Sequence, residues 1–323
     1  MNLSLIYEPV QKELAEVENQ FRLLADSVRP VFPDLYKMLS HILTVGKIIR
    51  PTLTLLAGRF YNYDRDKLLP MATASELLHI ATLVHDDAID KADVRRWRTT
   101  INKAWGEDKA ILLGDYLFAK AGEFAAATEN LRVVRLFAQT LETISEGELR
   151  QSFDAFNLVQ THENYLQRIS RKTAALFAMS TESSAILSQA PEKSIGILKE
   201  YGSNLGIAFQ IVDDILDFIS TEEELGKPIG SDLAQGTLTL PAMLILKQHP
   251  EDNPVKRLFE NRDKQENIKQ AIELVRNSPI VKECYEVASE YCTRACRNLN
   301  LLPNHSKCQA LVELAQYVVQ RRR

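Results

Sequence analysis

The feature that most constrains this chain is a pair of aspartate clusters, each at the end of a strongly apolar segment. The clusters are Asp86-Asp87-Ala88-Ile89-Asp90 and Asp213-Asp214-Ile215-Leu216-Asp217. On an α-helix, residues four apart lie one turn from each other and about 40° apart in azimuth, so the first and last aspartates of each cluster share a face. Carboxylates in apolar surroundings repel one another and are costly to desolvate unless they are paired or bound to a metal.

The rest of the sequence predicts helix nearly everywhere, and no run of alternating residues indicates a strand. The segments that precede the two clusters are apolar nearly all round, which is typical of helices in the middle of a large bundle. No Gly/Ser-rich linker divides the chain. We therefore predict one all-α domain over residues 1–323, a single large helical bundle of about a dozen helices. The expected helices are Met71–Asp90 and residues 108–128, 130–158, 163–190, 192–219, 238–248, 254–277, 281–298 and 304–320.

Composition excludes several classes of protein. The formal net charge is -4, so no overall basic field indicates binding to nucleic acid. No apolar run approaches the roughly 20 residues that span a bilayer, so we expect no transmembrane segment. The N-terminal segment carries Glu8, Glu13, Glu16 and Glu18, whereas secretory signals and transit peptides avoid acidic residues. These features predict a cytoplasmic protein.

The four cysteines all lie in the last fifth of the chain, at Cys284, Cys292, Cys296 and Cys308, with His305 nearby. Their spacing fits no zinc pattern well. We expect them to pack as small apolar residues inside helices, because free cysteine behaves as a hydrophobe.

The chemistry of the aspartate clusters favours a hard cation. Mg²⁺ takes oxygen ligands, usually one or two carboxylates together with waters and substrate phosphate oxygens. Two facing clusters would therefore hold a small group of Mg²⁺ ions around a diphosphate. The alternative, two solvated helix ends, is disfavoured because both clusters follow ten or more mostly apolar residues. Acidic residues at a helix C-terminus also oppose the helix dipole.

Two polar residues precede the clusters on the same helical faces. His79 is seven residues before Asp86, about 20° off in azimuth and two turns away. It could reach a second phosphate group, or it could be a satisfied core histidine. Gln210 is three residues before Asp213, where it could donate to a phosphate or make a hydrogen bond between helices.

Basic residues accompany both clusters. Lys47 and Arg50 precede Pro51 at a probable helix start, and helix N-termini bind anions. Any single cation is usually solvated, but the joint arrangement around two acidic clusters is better explained by two diphosphates that need neutralisation. The remaining basic and polar positions of this kind are Arg95, Arg96, Lys172, Thr173 and Lys227.

Taken in order, these motifs resemble those of the trans-isoprenyl diphosphate synthases, or polyprenyl synthetases. The similarity runs at motif level from about Gly46 to Pro241, and all six aspartates are present. The matching pieces are Gly-Lys-x-x-Arg-Pro at 46–51, Leu-Leu-His at 77–79, the first DDxxD followed by Arg95-Arg96, Gly-Glu-x-x-Gln at 147–151, Lys172-Thr173, Phe209-Gln210 before the second DDxxD, and Gly-Lys-Pro-x-Gly-Ser-Asp at 226–232.

The resemblance implies a bundle of the isoprenoid synthase type with a central apolar cavity, and it implies a role for each matching residue. Isopentenyl diphosphate would be bound by Lys47, Arg50, His79 and Arg96. The allylic diphosphate would be bound by Arg95, Lys172, Thr173, Gln210 and Lys227. The main magnesium ligands would be Asp86, Asp90 and Asp213, supported by Asp87, Asp214 and Asp217. The catalytic set would be Asp86, Asp90, Asp213, Lys172 and Lys227, with about three Mg²⁺ ions bound alongside substrate.

The reaction implied is condensation of isopentenyl diphosphate with an allylic diphosphate through an allylic carbocation. A homodimer is implied by the same resemblance, with release of the product to a membrane as a further expectation. Three alternatives stay open: a short-chain farnesyl or geranylgeranyl diphosphate synthase, a class I terpene cyclase and a non-catalytic partner subunit. The cyclase normally carries one DDxxD and a different second metal motif.

Two residues depart from the family pattern. Trp97 follows the arginine pair where the family usually has glycine, so we expect the loop there to be shaped differently. Thr237 stands near the place of a lysine that the family often carries, which puts one contact to the allylic phosphate in doubt.

Small residues before the first cluster indicate a long product. Ala81, Leu78 and Ala74 form one stripe beside the carboxylate face, about 7.5 to 18 Å below Asp86. Short-chain members of the family often carry a blocking aromatic residue four or five positions before the first aspartate, where Ala81 and Thr82 stand here. We therefore predict a hexaprenyl to decaprenyl product. The alternative is that the alanines let helices pack closely and that another helix supplies the floor. The tunnel residues are Ala74, Leu78, Ala81, Thr82 and Phe118.

Overall fold

A computed structural model describes residues 3–43, 46, 48–226, 228–261 and 265–321, and these residues are mostly helical. In chain order the α-helices are α1 (Leu3–Tyr7), α2 (Gln11–Val28), α3 (Pro33–Ile42), α4 (Ile49–Gly58), α5 (Arg65–Ile89), α6 (Ile101–Trp105), α7 (Glu107–Ala126), α8 (Leu131–Phe153), α9 (His162–Ile169), α10 (Ala175–Leu187), α11 (Glu192–Ile219), α12 (Glu222–Leu225), α13 (Ser231–Ala234), α14 (Leu240–Gln248), α15 (Pro254–Asn261), α16 (Gln265–Arg276), α17 (Ile280–Cys296) and α18 (His305–Gln320). A π-helical turn, Ser170–Ala174, joins α9 to α10, and short 3₁₀ turns span Glu8–Val10 and Leu299–Leu301.

The all-α prediction is confirmed, and α11 has the bounds that the sequence predicted. Within the described ranges, no helix has both the length and the apolar content needed to cross a bilayer. The sequence has no alternating run that indicates a strand, yet β1 (Val94–Arg95) and β2 (Arg98–Thr99) form a short antiparallel ladder. Two-residue strands are too short to produce an alternating pattern, so the sequence offered no signal for them.

Helix α5 begins earlier than the sequence indicated. We expected a helix from Met71, just after Pro70, but the helix starts at Arg65 and runs through the proline. Pro70 lies in the second turn and forgoes one backbone hydrogen bond. Burial of Leu68 and Met71 on either side of it helps to offset that loss.

Two compact units divide the chain. The first consists of residues 1–141, 176–202 and 298–314, and the second of residues 142–175, 203–297 and 315–323. The organisation as one domain over residues 1–323 stays a prediction.

The core of the first unit is built around α4 and α5. Every residue of α4 is buried, and α5 packs along α4 and α7. Two serines of α10 and the turn after it donate hydrogen bonds to backbone oxygens of α4: Ser184 to Thr54, and Ser188 to Gly58 at 3.0 Å. Hydroxyls bonded to backbone carbonyls in this way leave few polar groups unsatisfied in a tightly packed interior.

The core of the second unit surrounds the C-terminal half of α11. Ile211, Ile215 and Phe218 have no exposed surface and pack with residues from α9 and from α14 to α17. The predicted packing of the cysteines is confirmed at two positions of this unit, since Cys284 and Cys292 are buried inside α17. All four cysteines are free thiols.

Helices α10 and α11 approach so closely within the first unit that one position requires glycine. A Cβ at Gly202 would overlap the Thr181 hydroxyl and would lie 2.5 Å from the Phe177 carbonyl oxygen and 2.9 Å from Ala178 Cα. Two of these atoms belong to backbone, so they cannot turn aside. Gly196, on the same helix, is exposed, and a Cβ there would have no neighbour within 4 Å.

The two glycines provide a matched test of this packing. Gly202→Ala should lower the free energy of unfolding by about 1–3 kcal/mol, because the added methyl forces the helices apart. Gly196→Ala should raise it by up to about 1 kcal/mol, because alanine favours helix and meets no neighbour there. Urea denaturation followed by circular dichroism measures both changes. Equal effects of the same sign would contradict the close approach.

Candidate active site

The first aspartate cluster closes the C-terminal end of α5. Asp87 is 3% exposed and accepts a hydrogen bond of 2.7 Å from Arg95 Nε. Burial raises the pKa of Asp87, and the neighbouring Arg95 partly opposes that rise. Asp86 is half-buried and Asp90 is exposed. The second aspartate therefore points inward to a structural partner, while the first and last remain accessible to solvent.

His85, which the sequence analysis passed over, packs beside this cluster. Its Nε2 lies 2.9 Å from the Ile111 carbonyl oxygen, and its ring meets the Phe118 ring edge-on at 5.1 Å. A Cβ at Gly114 would overlap the imidazole, so a larger residue there would displace the His85 ring. His85 thus fixes the end of α5 against α7.

A tight hairpin follows the cluster. Arg95 pairs with Arg98, and the two residues between them, Arg96 and Trp97, have φ angles of 49° and 64°. A two-residue hairpin with positive φ at both positions is a type I′ turn, which favours Asn and Gly. Trp97 occupies a left-handed position that glycine would adopt without strain, and the expected change of loop shape stays a prediction.

A cavity of about 100 Å³ lies beside this hairpin. Arg50, in the first turn of α4, is buried with its guanidinium 4.9 Å above the Phe177 ring. Burial and the charges of Arg50, Arg96 and Arg95 hold the pKa of His79 well below its ordinary value, so the imidazole is neutral near pH 7. The cavity lining includes Gly46, Glu76, His79, Asp87, Arg95 and Arg96.

The structure thus brings together three of the four residues expected to bind isopentenyl diphosphate, namely Arg50, His79 and Arg96. A Cβ at Gly46 would lie 2.9 Å from Arg96 Nη1, so the hairpin arginine reaches the Gly-Lys-x-x-Arg-Pro segment. Lys47, the fourth, lies outside the described residues. Arg95, expected to bind the allylic diphosphate, lines this same cavity.

Glu76 lines this cavity and, after His85, is a second residue that the sequence motifs did not indicate. It is 7% exposed, and its Oε2 has no hydrogen-bond partner among the described residues. Burial raises the pKa of Glu76, and the charges of Arg50 and Arg96 partly oppose that rise. Its position three residues before His79, on the same helix, was the signal available in the sequence.

The second aspartate cluster, in the second unit, also has a buried middle residue. Asp214 accepts hydrogen bonds of 2.8 Å from both the Tyr165 hydroxyl and Gln210 Nε2. Burial, with a smaller effect of Asp232, raises the pKa of Asp214 to about 7 despite these bonds. Asp213 is 41% exposed at its side chain and pairs with Arg321 at 2.8 Å.

Asp217 holds the loop that leads to α13. Its carboxylate accepts hydrogen bonds from the Ser231 hydroxyl at 3.0 Å and from the Asp232 backbone N–H at 3.3 Å, and its carbonyl accepts from Gly230 N–H at 3.0 Å. Thr237, the second departure from the family pattern, donates its backbone N–H to the Asp232 carbonyl at 2.8 Å. Asp217 is therefore committed to loop geometry.

The π-helical turn between α9 and α10 presents Lys172 and Thr173. Lys172 Nζ pairs with Glu148 at 2.8 Å, and the Thr173 hydroxyl donates to Gln210 Oε1 at 2.6 Å. A Cβ at Gly147 would lie 3.1 Å from the Lys172 backbone nitrogen, so α8 packs tightly on this turn. Single π-turns recur at functional sites because they redirect side chains. Lys227, expected in the same set, lies outside the described residues.

The accessible carboxylates of the two clusters are oxygen donors of the kind that Mg²⁺ takes. In the described parts of the chain, no group of three or more His, Cys, Asp or Glu side chains forms a metal site by itself. Each cluster presents one or two accessible carboxylates, which is the number that Mg²⁺ commonly takes when phosphate oxygens and waters complete its shell.

The residues proposed for the chain-length tunnel lie on α5 and α7. Ala74, Leu78 and Ala81 have no exposed surface. Thr82 is half-buried and donates its hydroxyl to the His79 carbonyl at 2.7 Å, and Phe118 packs on His85. Ala74, Leu78 and Ala81 thus lie in the packed interior, and their role in setting product length stays a prediction.

Comparisons with known proteins agree on one family. Residues 32–275 match the family model described as polyprenyl synthetase. The chain is 37% identical, over 323 residues and 92% of that protein, to heptaprenyl diphosphate synthase component 2 of Bacillus subtilis. It superposes with a TM-score of 0.91 and 35% identity on the crystal structure of a decaprenyl diphosphate synthase from Rhodobacter capsulatus, covering 100% of both chains. It superposes with a TM-score of 0.92 and 31% identity on a polyprenyl synthase from Caulobacter crescentus complexed with calcium and isoprenyl diphosphate, covering 100% of this chain and 98% of that one.

Substitutions at Trp97 test whether the backbone of the hairpin turn is strained. Trp97→Gly should be more stable than Trp97→Ala by about 1 kcal/mol, because glycine alone adopts positive φ freely. At the paired strand position Thr99 the order should reverse, since glycine weakens a strand. Thermal unfolding of the four variants measures both differences. The same order at both positions would contradict the type I′ turn.

Proposed function

The chain belongs to the polyprenyl synthetase family, and from that premise we propose that it is a trans-polyprenyl diphosphate synthase. It condenses isopentenyl diphosphate with an allylic prenyl diphosphate to give a longer all-trans polyprenyl diphosphate. The observation that carries the proposal is the cavity lined by His79, Arg95 and Arg96, with Arg50 close to His79, beside the first aspartate cluster. A chain-extending enzyme needs a site for a second diphosphate, and a terpene cyclase does not.

The residues of the first unit suit recognition of isopentenyl diphosphate. Arginine presents a planar set of donors that matches phosphate oxygens. Arg50 is held by the Phe177 ring and Arg96 by the tight hairpin, so both are oriented before substrate binds. His79 is neutral without ligand, and the charge of a bound diphosphate would favour its protonated form.

The residues of the second unit suit the allylic diphosphate. Lys172 is held near Glu148, and Thr173 and Gln210 form one hydrogen-bonded pair. Asp86 and Asp90 in the first unit and Asp213 in the second would hold Mg²⁺, which would neutralise the charge that develops on the leaving diphosphate. The allylic carbocation is then attacked by the double bond of isopentenyl diphosphate, and a proton is lost to the released diphosphate. Apolar surroundings protect the cation from water.

We propose a product in the hexaprenyl to decaprenyl range. Relatives named heptaprenyl and decaprenyl diphosphate synthase support this range. Ala81, five positions before the first aspartate, supports it as well, because no aromatic side chain stands there.

We also propose that the active form is a homodimer in the cytoplasm, as the resemblance implies. A specific observation favours a second possibility for its assembly, since the Bacillus subtilis relative is named as component 2 of its synthase. An assay of the purified chain alone separates the two. Turnover by the purified chain supports the homodimer, and turnover only after a second chain is added supports a two-component enzyme.

The two aspartate clusters test the proposed reaction most simply. Asp86→Ala and Asp213→Ala should each lower turnover by about 100-fold or more, because each removes a ligand from the cation that stabilises the leaving group. EDTA should abolish turnover. Asp66→Ala, an exposed aspartate in the first turn of the same helix as Asp86, should leave turnover near wild type. The rate of diphosphate release measures turnover in each case. A near-normal rate in either cluster variant would contradict the assignment of these aspartates as metal ligands.

The small residue at position 81 tests the control of product length. Ala81→Phe should shorten the product to about farnesyl or geranylgeranyl diphosphate, because the ring fills a tunnel about one turn below the reacting carbon. The rate of the first condensation should be spared, and Ala81→Val should give intermediate lengths. Reversed-phase chromatography of dephosphorylated products measures the distribution. An unchanged product from Ala81→Phe would show that this stripe does not set the length.

A further inference from the structure

Arg321 holds the first aspartate of the second cluster, a contact that the motifs do not indicate. Its Nη2 lies 2.8 Å from Asp213 Oδ1 and donates to the Phe209 carbonyl oxygen at 2.7 Å. The guanidinium also stacks on the Phe209 ring, and the distance from Arg321 Cζ to the ring centroid is 3.8 Å. All three residues belong to the second unit.

The two partners differ in how firmly they are held. The Arg321 side chain is 5% exposed, whereas the Asp213 side chain is 41% exposed. Arg321 is fixed by the Phe209 carbonyl and ring as well as by the carboxylate, and its backbone N–H continues α18 by bonding to the Tyr317 carbonyl at 2.9 Å. If the Arg321 side chain left this position, its buried charge would lose its partners, and a buried charge without partners costs free energy. The arginine is therefore a fixed positive charge beside Asp213.

A fixed positive charge acts in opposite directions on two forms of the cation. It repels a free divalent cation that approaches Asp213, and it offsets the charge of the carboxylate that would attract one. A cation that is already bound to diphosphate carries net negative charge, because the diphosphate has more charge than one divalent ion neutralises. Arg321 attracts that complex.

We propose that Arg321 makes cation binding at Asp213 depend on diphosphate. In this role, which rests on the proposed function, Arg321 keeps the second cluster from taking up Mg²⁺ alone and favours Mg²⁺ that arrives with the allylic diphosphate.

The test compares charge at position 321 with Mn²⁺ as a probe for Mg²⁺. Equilibrium dialysis measures the Mn²⁺ retained by the full chain, with and without inorganic diphosphate, because free Mn²⁺ and its complex with diphosphate reach the same concentration on both sides of the membrane. Wild type should bind Mn²⁺ weakly alone and more tightly with diphosphate. Arg321→Gln should bind Mn²⁺ alone about tenfold more tightly than wild type, and should gain less from diphosphate, because the fixed charge is gone.

Three further variants make the result specific. Arg321→Lys retains the charge and should behave as wild type in the absence of diphosphate. Arg321→Gln combined with Asp213→Asn should lose the gained binding, which places it at this carboxylate. Arg321→Met keeps apolar volume on Phe209 and replaces the glutamine variant if thermal unfolding shows that the latter is not folded.

The outcomes separate the inference from the function. If wild type gains no Mn²⁺ binding with diphosphate, both the metal assignment and the inference built on it are overturned. If wild type gains binding but removal of the charge leaves free Mn²⁺ binding unchanged or weaker, only the role of Arg321 is overturned.

Discussion

The constraint on which the rest of this structure depends is the cost of placing carboxylates at the ends of buried helices. In both clusters the middle aspartate is buried, and each has a specific partner. Asp87 is paired with Arg95, and Asp214 with Tyr165 and Gln210. These bonds offset desolvation and at the same time fix the helix end, so the neighbouring aspartate, Asp86 or Asp213, is presented in a defined position.

In the cavity of the first unit the dominant charge is positive, whereas each aspartate cluster is negative. Three arginines, Arg95, Arg96 and Arg98, and two carboxyls, Glu76 and Asp87, line this cavity, and the charge of Arg50 also acts on Glu76 and His79, so the charge of the site is net positive. The positive charges of Arg50 and Arg96 lie close together because both side chains are held in place. The Phe177 ring holds Arg50, and the strained hairpin turn holds Arg96. Strain of this kind persists where surrounding structure over-determines it, and it is common beside ligand sites.

Local signals in the sequence were sufficient for the all-α class, for the bounds of some helices and for the spacing of the functional residues. The bounds of α11 and the one-turn separation within each cluster follow from periodicity and helix geometry alone. The partners that hold these residues were not predictable, because Tyr165 and Arg321 are distant in sequence from the aspartates that they contact. The hairpin at 94–99 was missed because two-residue strands carry no periodic signal. The start of α5 was missed because Pro70 is tolerated in an early helical turn once its neighbours are buried.

The central claim is that this chain extends one diphosphate with another, and the most direct test follows diphosphate release from a labelled allylic primer. The purified chain is incubated with the primer and Mg²⁺, with and without isopentenyl diphosphate, and the prenyl products are resolved by chain length. The account predicts that release requires isopentenyl diphosphate and that products lengthen in steps of one isoprene unit. Release of diphosphate without isopentenyl diphosphate would identify a cyclase, and no release in either condition would identify a chain that is not catalytic alone.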